Sequence, residues 1–296
     1  MILKNKNTLL LHLIVFIWGF TGILGALITI PSQNLVWYRM AIAILFIFLY
    51  VFTTGANLKT NPITGTKFLA TGIIISLHWI FFFEAIKVAN ISVTLACLSS
   101  ATLFTAILEP IIQKQKIVLY EILLGIAVII GLLIIFKFET QYQRGIFYTL
   151  FSSLMASLFT VINGNYAKKH SPGKIAFYEM SGGFIAISIY LLLTSNINMS
   201  LLMISMHDIA YLLLLGTICT AFALIASINV MKELSPFTVT MTTNLEPVYG
   251  IIMAYIFFDQ KEKMSTEFYF GTIVILGSVF TNAYLKGKNN QRIQNL

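Results

Sequence analysis

Apolar residues gather into ten runs, each close to the roughly 20 residues that one helical crossing of a bilayer core requires. They cover 8–29, 35–54, 66–86, 91–113, 117–137, 145–167, 174–194, 208–231, 237–258 and 267–286. The intervals between them are short and polar. Asn57 to Gly65 carries Lys59, Asn61, Pro62 and Gly65, and Lys168 to Lys174 carries His170, Ser171, Pro172 and Gly173. No interval has room for a soluble domain. The pattern predicts an all-α polytopic membrane protein with ten transmembrane helices.

The polar positions inside these runs recur. Ser92-Val93-Thr94 is followed by Glu121, Gly125 and Gly131, and Thr238-Val239-Thr240 by Glu267, Gly271 and Gly277. The spacing Glu-x3-Gly-x5-Gly is the same in both stretches. Thr102-Leu103-Phe104 aligns with Pro247-Val248-Tyr249, Gln115-Lys116 with Gln260-Lys261, Tyr38-Arg39-Met40 with Tyr178-Glu179-Met180, and Lys87 with Lys232. Matches in one order at offsets of 140 to 146 residues indicate an internal duplication. Residues 1–138 and 145–287 are read as its two halves. Five helices per half is an odd number, so the second half enters the membrane inverted. Inverted repeats place a binding site near the midplane and alternate its access by rocking.

Composition sharpens this picture. Of 296 residues, 58% are hydrophobic and 10% are charged, where a soluble chain carries about a quarter. The net charge of +8 is read as loop Lys and Arg that orient helices, not as a nucleic-acid footprint. With the N-terminus in the cytoplasm, 13 Lys and Arg lie inside (Lys4, Lys6, Lys59, Lys67, Lys114, Lys116, Lys168, Lys169, Lys174, Lys232, Lys286, Lys288, Arg292). Five lie outside (Lys87, Lys137, Arg144, Lys261, Lys263), and Arg39 is within a helix. Cytoplasmic N- and C-termini follow. Cys97 and Cys219 sit in apolar runs and imply neither a disulfide framework nor a metal cluster. The first apolar run lacks a small-residue cleavage site and reads as a retained helix.

Ionisable groups at depth are costly and each needs a reason. Arg39 and Glu179 are repeat counterparts near opposite membrane faces. They either gate the two mouths, with Glu84 a partner for Arg39, or snorkel to the nearby interface. His78, beside Trp79 and on one face with Phe82, either meets a substrate or bonds a neighbouring helix. Ser99, Thr102, Thr105 and Glu109 form one stripe, and Thr240, Thr243, Asn244 and Pro247 another, with Glu246 pointing elsewhere. Both stripes suit a cavity lining or interhelical hydrogen bonds. Ser153, Ser157, Thr160 and Gly164 suit close helix packing, with Asn163 beside them as a contact residue. The motifs H-E-x-x-H, G-x-S-x-G and G-x-x-x-x-G-K-[ST] are absent, and the two aspartates, Asp208 and Asp259, lie at helix ends. An enzyme, a channel and a scaffold are all less favoured than a carrier, and no cofactor or metal is expected.

The pairs Leu108-Glu109-Pro110 and Leu245-Glu246-Pro247, together with His78-Trp79-x4-Glu84-Ala85-Ile86 and the glycines Gly125 and Gly271, resemble the EamA-like drug/metabolite transporters over essentially the whole chain. Many members carry Gly-Glu at the ends of helices 4 and 9, where this chain has Lys114-Gln115 and Asp259-Gln260. The resemblance implies a bacterial inner-membrane carrier of small metabolites, often an exporter of amino acids or related compounds. It also implies a cavity between helices 1, 3, 4, 6, 8 and 9. The side chains expected there are Trp18, Thr21, His78, Trp79, Phe82, Ser99, Thr102, Asn163, Asn229, Thr243, Asn244 and Glu246. With no deep Lys, and Arg39 taken to lie near a mouth, phosphorylated substrates are disfavoured. A small neutral or zwitterionic molecule fits best, with efflux of hydrophobic cations as the alternative. Expected partners are that solute and the lipid bilayer. Coupling to protons or a counter-substrate, the direction of transport, and monomer or homodimer assembly all stay open.

Overall fold

The computed structural model of the chain describes residues 2–114, 119–194, 204–258 and 262–294. Among these the regular structure is entirely helical. The long helices are α1 (Ile2–Leu27), α2 (Ser32–Thr54) and α3 (Pro62–Val88). Two shorter ones follow, α4 (Ile91–Leu98) and α5 (Ala101–Gln113). Next come α6 (Leu119–Phe138), a 3₁₀ turn (Thr140–Tyr142), α7 (Gln143–Ala167) and α8 (Pro172–Leu193). A π-helical turn (Thr217–Phe222) joins α9 (Met206–Gly216) to α10 (Ala223–Val230). The chain closes with α11 (Pro236–Thr243), α12 (Leu245–Phe258) and α13 (Thr266–Gln294). The expected motif residues Gln115, Lys116, Asp259, Gln260 and Lys261 lie outside the described residues, and of the Glu121 side chain nothing is described.

Local chemistry accounts for the ends. Asn61 accepts from the backbone N–H groups of Ile63 and Thr64, with Pro62 in the first turn of α3. Asn90 caps α4 through Val93 N–H, and Ser235 caps α11 through Thr238 N–H, followed by Pro236. Gly55, at φ +64°, stops α2 in the left-handed region that glycine enters without penalty. Among the described residues, seven helical stretches are long and apolar enough to cross a bilayer, including Ile91–Gln113 and Met206–Val230 taken whole. Large apolar side chains such as Phe52, Leu133, Leu193 and Ile273 are exposed. A helical chain with such a surface is a multi-pass membrane protein.

Three of the apolar runs are interrupted, a departure from the continuous helices expected. The run 91–113 breaks at Ser99 and Ser100, and the run 237–258 breaks at Asn244. The leading pieces, Ile91–Leu98 and Pro236–Thr243, are both eight residues long and lie 145 positions apart. Ser99 and Asn244 therefore occupy equivalent places in the duplication. Pro247 offers no N–H to the carbonyl of Thr243, which explains the second break. The first break has no proline and falls on two serines. In the run 208–231 the π turn replaces one α turn, and the Thr220 hydroxyl donates to the Leu215 carbonyl five residues back, at 2.7 Å.

Carboxylates bind these pieces across the duplication. Glu262, beyond α12, accepts from Ile91 N–H at 3.1 Å and Ser92 N–H at 2.9 Å. Glu109, on α5, accepts from Phe237 N–H at 2.9 Å. Each cap satisfies amides at a helix start and places negative charge at the positive end of the helix dipole. Glycine permits the closest helix contacts. A Cβ on Gly72 of α3 would overlap the Glu179 carbonyl of α8. A Cβ on Gly131 of α6 would lie 2.8 Å from the Gly271 carbonyl oxygen of α13, and one on Gly271 would lie 2.9 Å from that of Gly131.

Candidate functional site

A cavity of about 110 Å³ opens where the two helix breaks face each other. A single water needs about 10–15 Å³ on the same scale, so the cavity has room for on the order of seven to eleven waters. Ten of the twelve expected contact residues line it: Trp18, Thr21, His78, Trp79, Phe82, Ser99, Asn163, Thr243, Asn244 and Glu246. Trp18, Trp79, Phe82 and Phe159 give it aromatic walls, and Leu98, Leu224 and Val239 add aliphatic surface.

Two expected contact residues stand elsewhere. Thr102 is buried behind the wall, where its hydroxyl accepts from Asn244 Nδ2 at 2.5 Å. It therefore holds a lining residue instead of being one. Asn229 is exposed on the far side of α10. It lies two residues beyond Ser227, about 200° around the helix. Ser227 faces the cavity in its place.

The expected gate residues are not paired with one another among the described residues. Arg39 is enclosed within the protein. It is 1% exposed and stands in the cavity wall, which adds α2 to the helices expected around it. Its Nε donates to Thr220 Oγ1 at 2.5 Å, its Nη2 lies 3.5 Å from the Cys219 carbonyl oxygen, and its guanidinium carbon sits 3.8 Å from the centroid of Trp79. Glu179 is fully buried on α8, away from the cavity, and accepts from Asn163 Nδ2 at 3.3 Å. Glu84 is half-buried, within electrostatic reach of Lys87 and Arg144. Among the described residues no ion pair joins Arg39 to either carboxylate.

His78 meets both of its readings. Its Nδ1 lies 3.0 Å from the Ser152 carbonyl oxygen and 2.7 Å from the Ser152 hydroxyl, which itself donates to the His78 carbonyl at 2.8 Å. This contact fixes the ring against α7 while the side chain still lines the cavity. Among the described residues several lining polar atoms have no partner, including Arg39 Nη1, Ser99 Oγ and Asn163 Oδ1. Ser157, expected to pack, does so by donating to the Ala101 carbonyl at 2.6 Å. Sequence reasoning missed Thr220 and Ser227. Their seven-residue spacing within an apolar run, which puts two polar groups on one helix face, was the available signal.

The helices, the apolar surface and the largely apolar interior cavity define a multi-pass membrane protein. The family model of EamA-like transporters matches twice, over residues 6–137 and 143–284, and the chain belongs to that family. It falls with the drug/metabolite transporters, as the sequence motifs suggested. A solved crystal structure of a protein superposes with a TM-score of 0.69 at 13% identity, covering 93% of this chain and 96% of that one. At that identity the likeness speaks for the fold alone. A search among curated proteins finds no match.

Proposed function

We propose that this chain is a secondary transporter that exports small neutral or zwitterionic metabolites, such as amino acids, by alternating access. The observation that carries the reading is the pair of helix breaks at repeat-equivalent positions, Ser99 and Asn244, both on the wall of one aromatic cavity. Eight residues rise about 12 Å, so each break falls near the middle of a bilayer core about 30 Å thick. Irregular backbone at that depth is tolerated where it lines a cavity, and inverted-repeat carriers bind their substrates at such breaks. The order of helices supports ten crossings in two inverted halves. Lys174 Nζ reaches the Lys59 carbonyl and Glu139 accepts from Ser265, contacts that join loops assigned to the same face. The charge bias supports cytoplasmic termini, and the family resemblance implies a bacterial inner membrane.

The second reading, efflux of hydrophobic cations, draws on Glu246 in the cavity wall. Arg39 in the same wall weighs against it. Counterflow in proteoliposomes tests both, with neutral amino acids, tetraphenylphosphonium and a sugar phosphate as solutes. Saturable exchange of amino acids is expected. Exchange of the sugar phosphate alone would sink the proposal, and a flux that never saturates would point to a channel.

A further inference from the structure

Arg39 is a buried cation that lacks an anionic partner among the described residues. Its Nε–H and one Nη2–H are directed to Thr220 and to the Cys219 carbonyl, both neutral groups. Both acceptors belong to the π turn, whose irregular geometry brings them to the guanidinium. Trp79 covers one face of the guanidinium plane. A guanidinium has five N–H donors, and Nη1 has no partner among the described residues. Among the described residues Arg39 makes no ion pair. Glu246 lies on the same cavity wall and acts on Arg39 electrostatically without touching it. The cavity wall therefore carries one guanidinium and one carboxyl group.

We propose that Arg39 is the carboxylate anchor of the cavity and Glu246 its ammonium partner, so that the ligand is a small zwitterion lying between them. The proposal rests on the carrier reading above and deepens it. An unpaired charge in the membrane interior costs several kcal/mol. A ligand carboxylate offers two oxygens to the guanidinium fork and supplies the missing partner. Charge balance decides the class. A phosphate monoester near −2 would leave excess negative charge beside Glu246. A permanent cation would be repelled by Arg39. A zwitterion is neutral as a whole and matches both ends, while the aromatic walls take its apolar part.

The test uses the purified full-length chain with Trp37→Phe. Trp37 is outside the cavity, where it donates to Ser188, so its removal leaves Trp18 and Trp79 as reporters in the cavity wall. The ligands are leucine, phenylalanine and threonine, each with its amide, which is cationic, and its des-amino acid, which is anionic. Isopentyl phosphate and tetraphenylphosphonium complete the set. At least one amino acid is expected to bind tenfold or more tightly than both its amide and its des-amino acid. Arg39→Gln is expected to abolish the preference over the amide, and Glu246→Gln the preference over the des-amino acid. Arg39→Lys should restore part of the first. The panel on the unaltered cavity decides the matter even where a variant fails to fold. Amides that bind as well as the amino acids, or no binding by any amino acid, overturn the anchor. Tight binding of isopentyl phosphate identifies a phosphate site and overturns the zwitterion. If only amides or tetraphenylphosphonium bind, the anchor fails while a carrier of small amphipathic solutes still stands.

Discussion

Glu262 and Glu109 hold helix starts across the duplication, and removing their charge should act on stability and on access together. Glu262 is 5% exposed and accepts two buried amides, those of Ile91 and Ser92. Hydrogen bonds to a charged group are worth about 1.5–3 kcal/mol each, and neutral ones about 0.5–1.5 kcal/mol. Glu262→Gln keeps one neutral acceptor and turns an amide NH2 toward the other N–H, so the loss should be roughly 2–4 kcal/mol. For a chain of this size that is a fall of about 5–10 °C in melting temperature, read by tryptophan fluorescence in detergent. If the halves rock, the Glu262 cap holds the outer face closed and the Glu109 cap holds the cytoplasmic face closed. Ala156 lines the cavity, so Ala156→Cys in a Cys97→Ser, Cys219→Ser background reports which face is open. Glu262→Gln should raise labelling by a membrane-impermeant thiol reagent from outside. Glu109→Gln should raise it from inside. Melting temperatures equal to the parent, or labelling shifted in the same direction by both variants, would refute this reasoning.

Other consequences can be checked more simply. Gly72→Ala places a Cβ into the Glu179 carbonyl and should sharply reduce the yield of monodisperse protein, while Ala70→Gly on the same helix should have a small effect. Thr102→Ala and Asn244→Ala each break the bond between those side chains; each should cost about 1 kcal/mol, and the double variant should cost less than their sum. Ser152→Ala removes the hydroxyl that fixes His78 and should weaken substrate binding several-fold with little change in melting temperature; an unchanged affinity would make the His78 contact structural. Impermeant labelling from outside should reach a cysteine near Ser32 and fail at Lys59 and Lys169, and labelling at Lys169 would overturn the inverted halves.

The helical segments were legible because each apolar run approaches the thickness of a bilayer. The breaks at Ser99 and Asn244 were hidden because eight-residue pieces are as apolar as continuous helices, and no proline marks the first. The cavity that the family resemblance implied collects ten of the twelve expected contact residues, and Glu246, read as pointing away from the stripe of its helix, is among them. Asn229 falls outside it because it is two residues from Ser227 and so on the opposite face of its helix. Depth counted from the end of its helix says nothing of what encloses Arg39. It is held by Thr220 and Trp79, partners remote in sequence. Chain order carries no information about such pairings.

Helices α6 and α13 contribute no side chain to the cavity, yet they pack along each other and cross where Gly131 and Gly271 bring the two backbones together. Two bodies that rock against each other need a line along which neither is displaced, and a contact too tight to slide belongs on that line. If the halves rock, a bulkier residue there would shift the fulcrum without touching the cargo. Solutes of every kind should then be slowed by the same factor, with affinities unchanged. A selection based on substrate preference would never find these glycines, while one based on turnover would find them first.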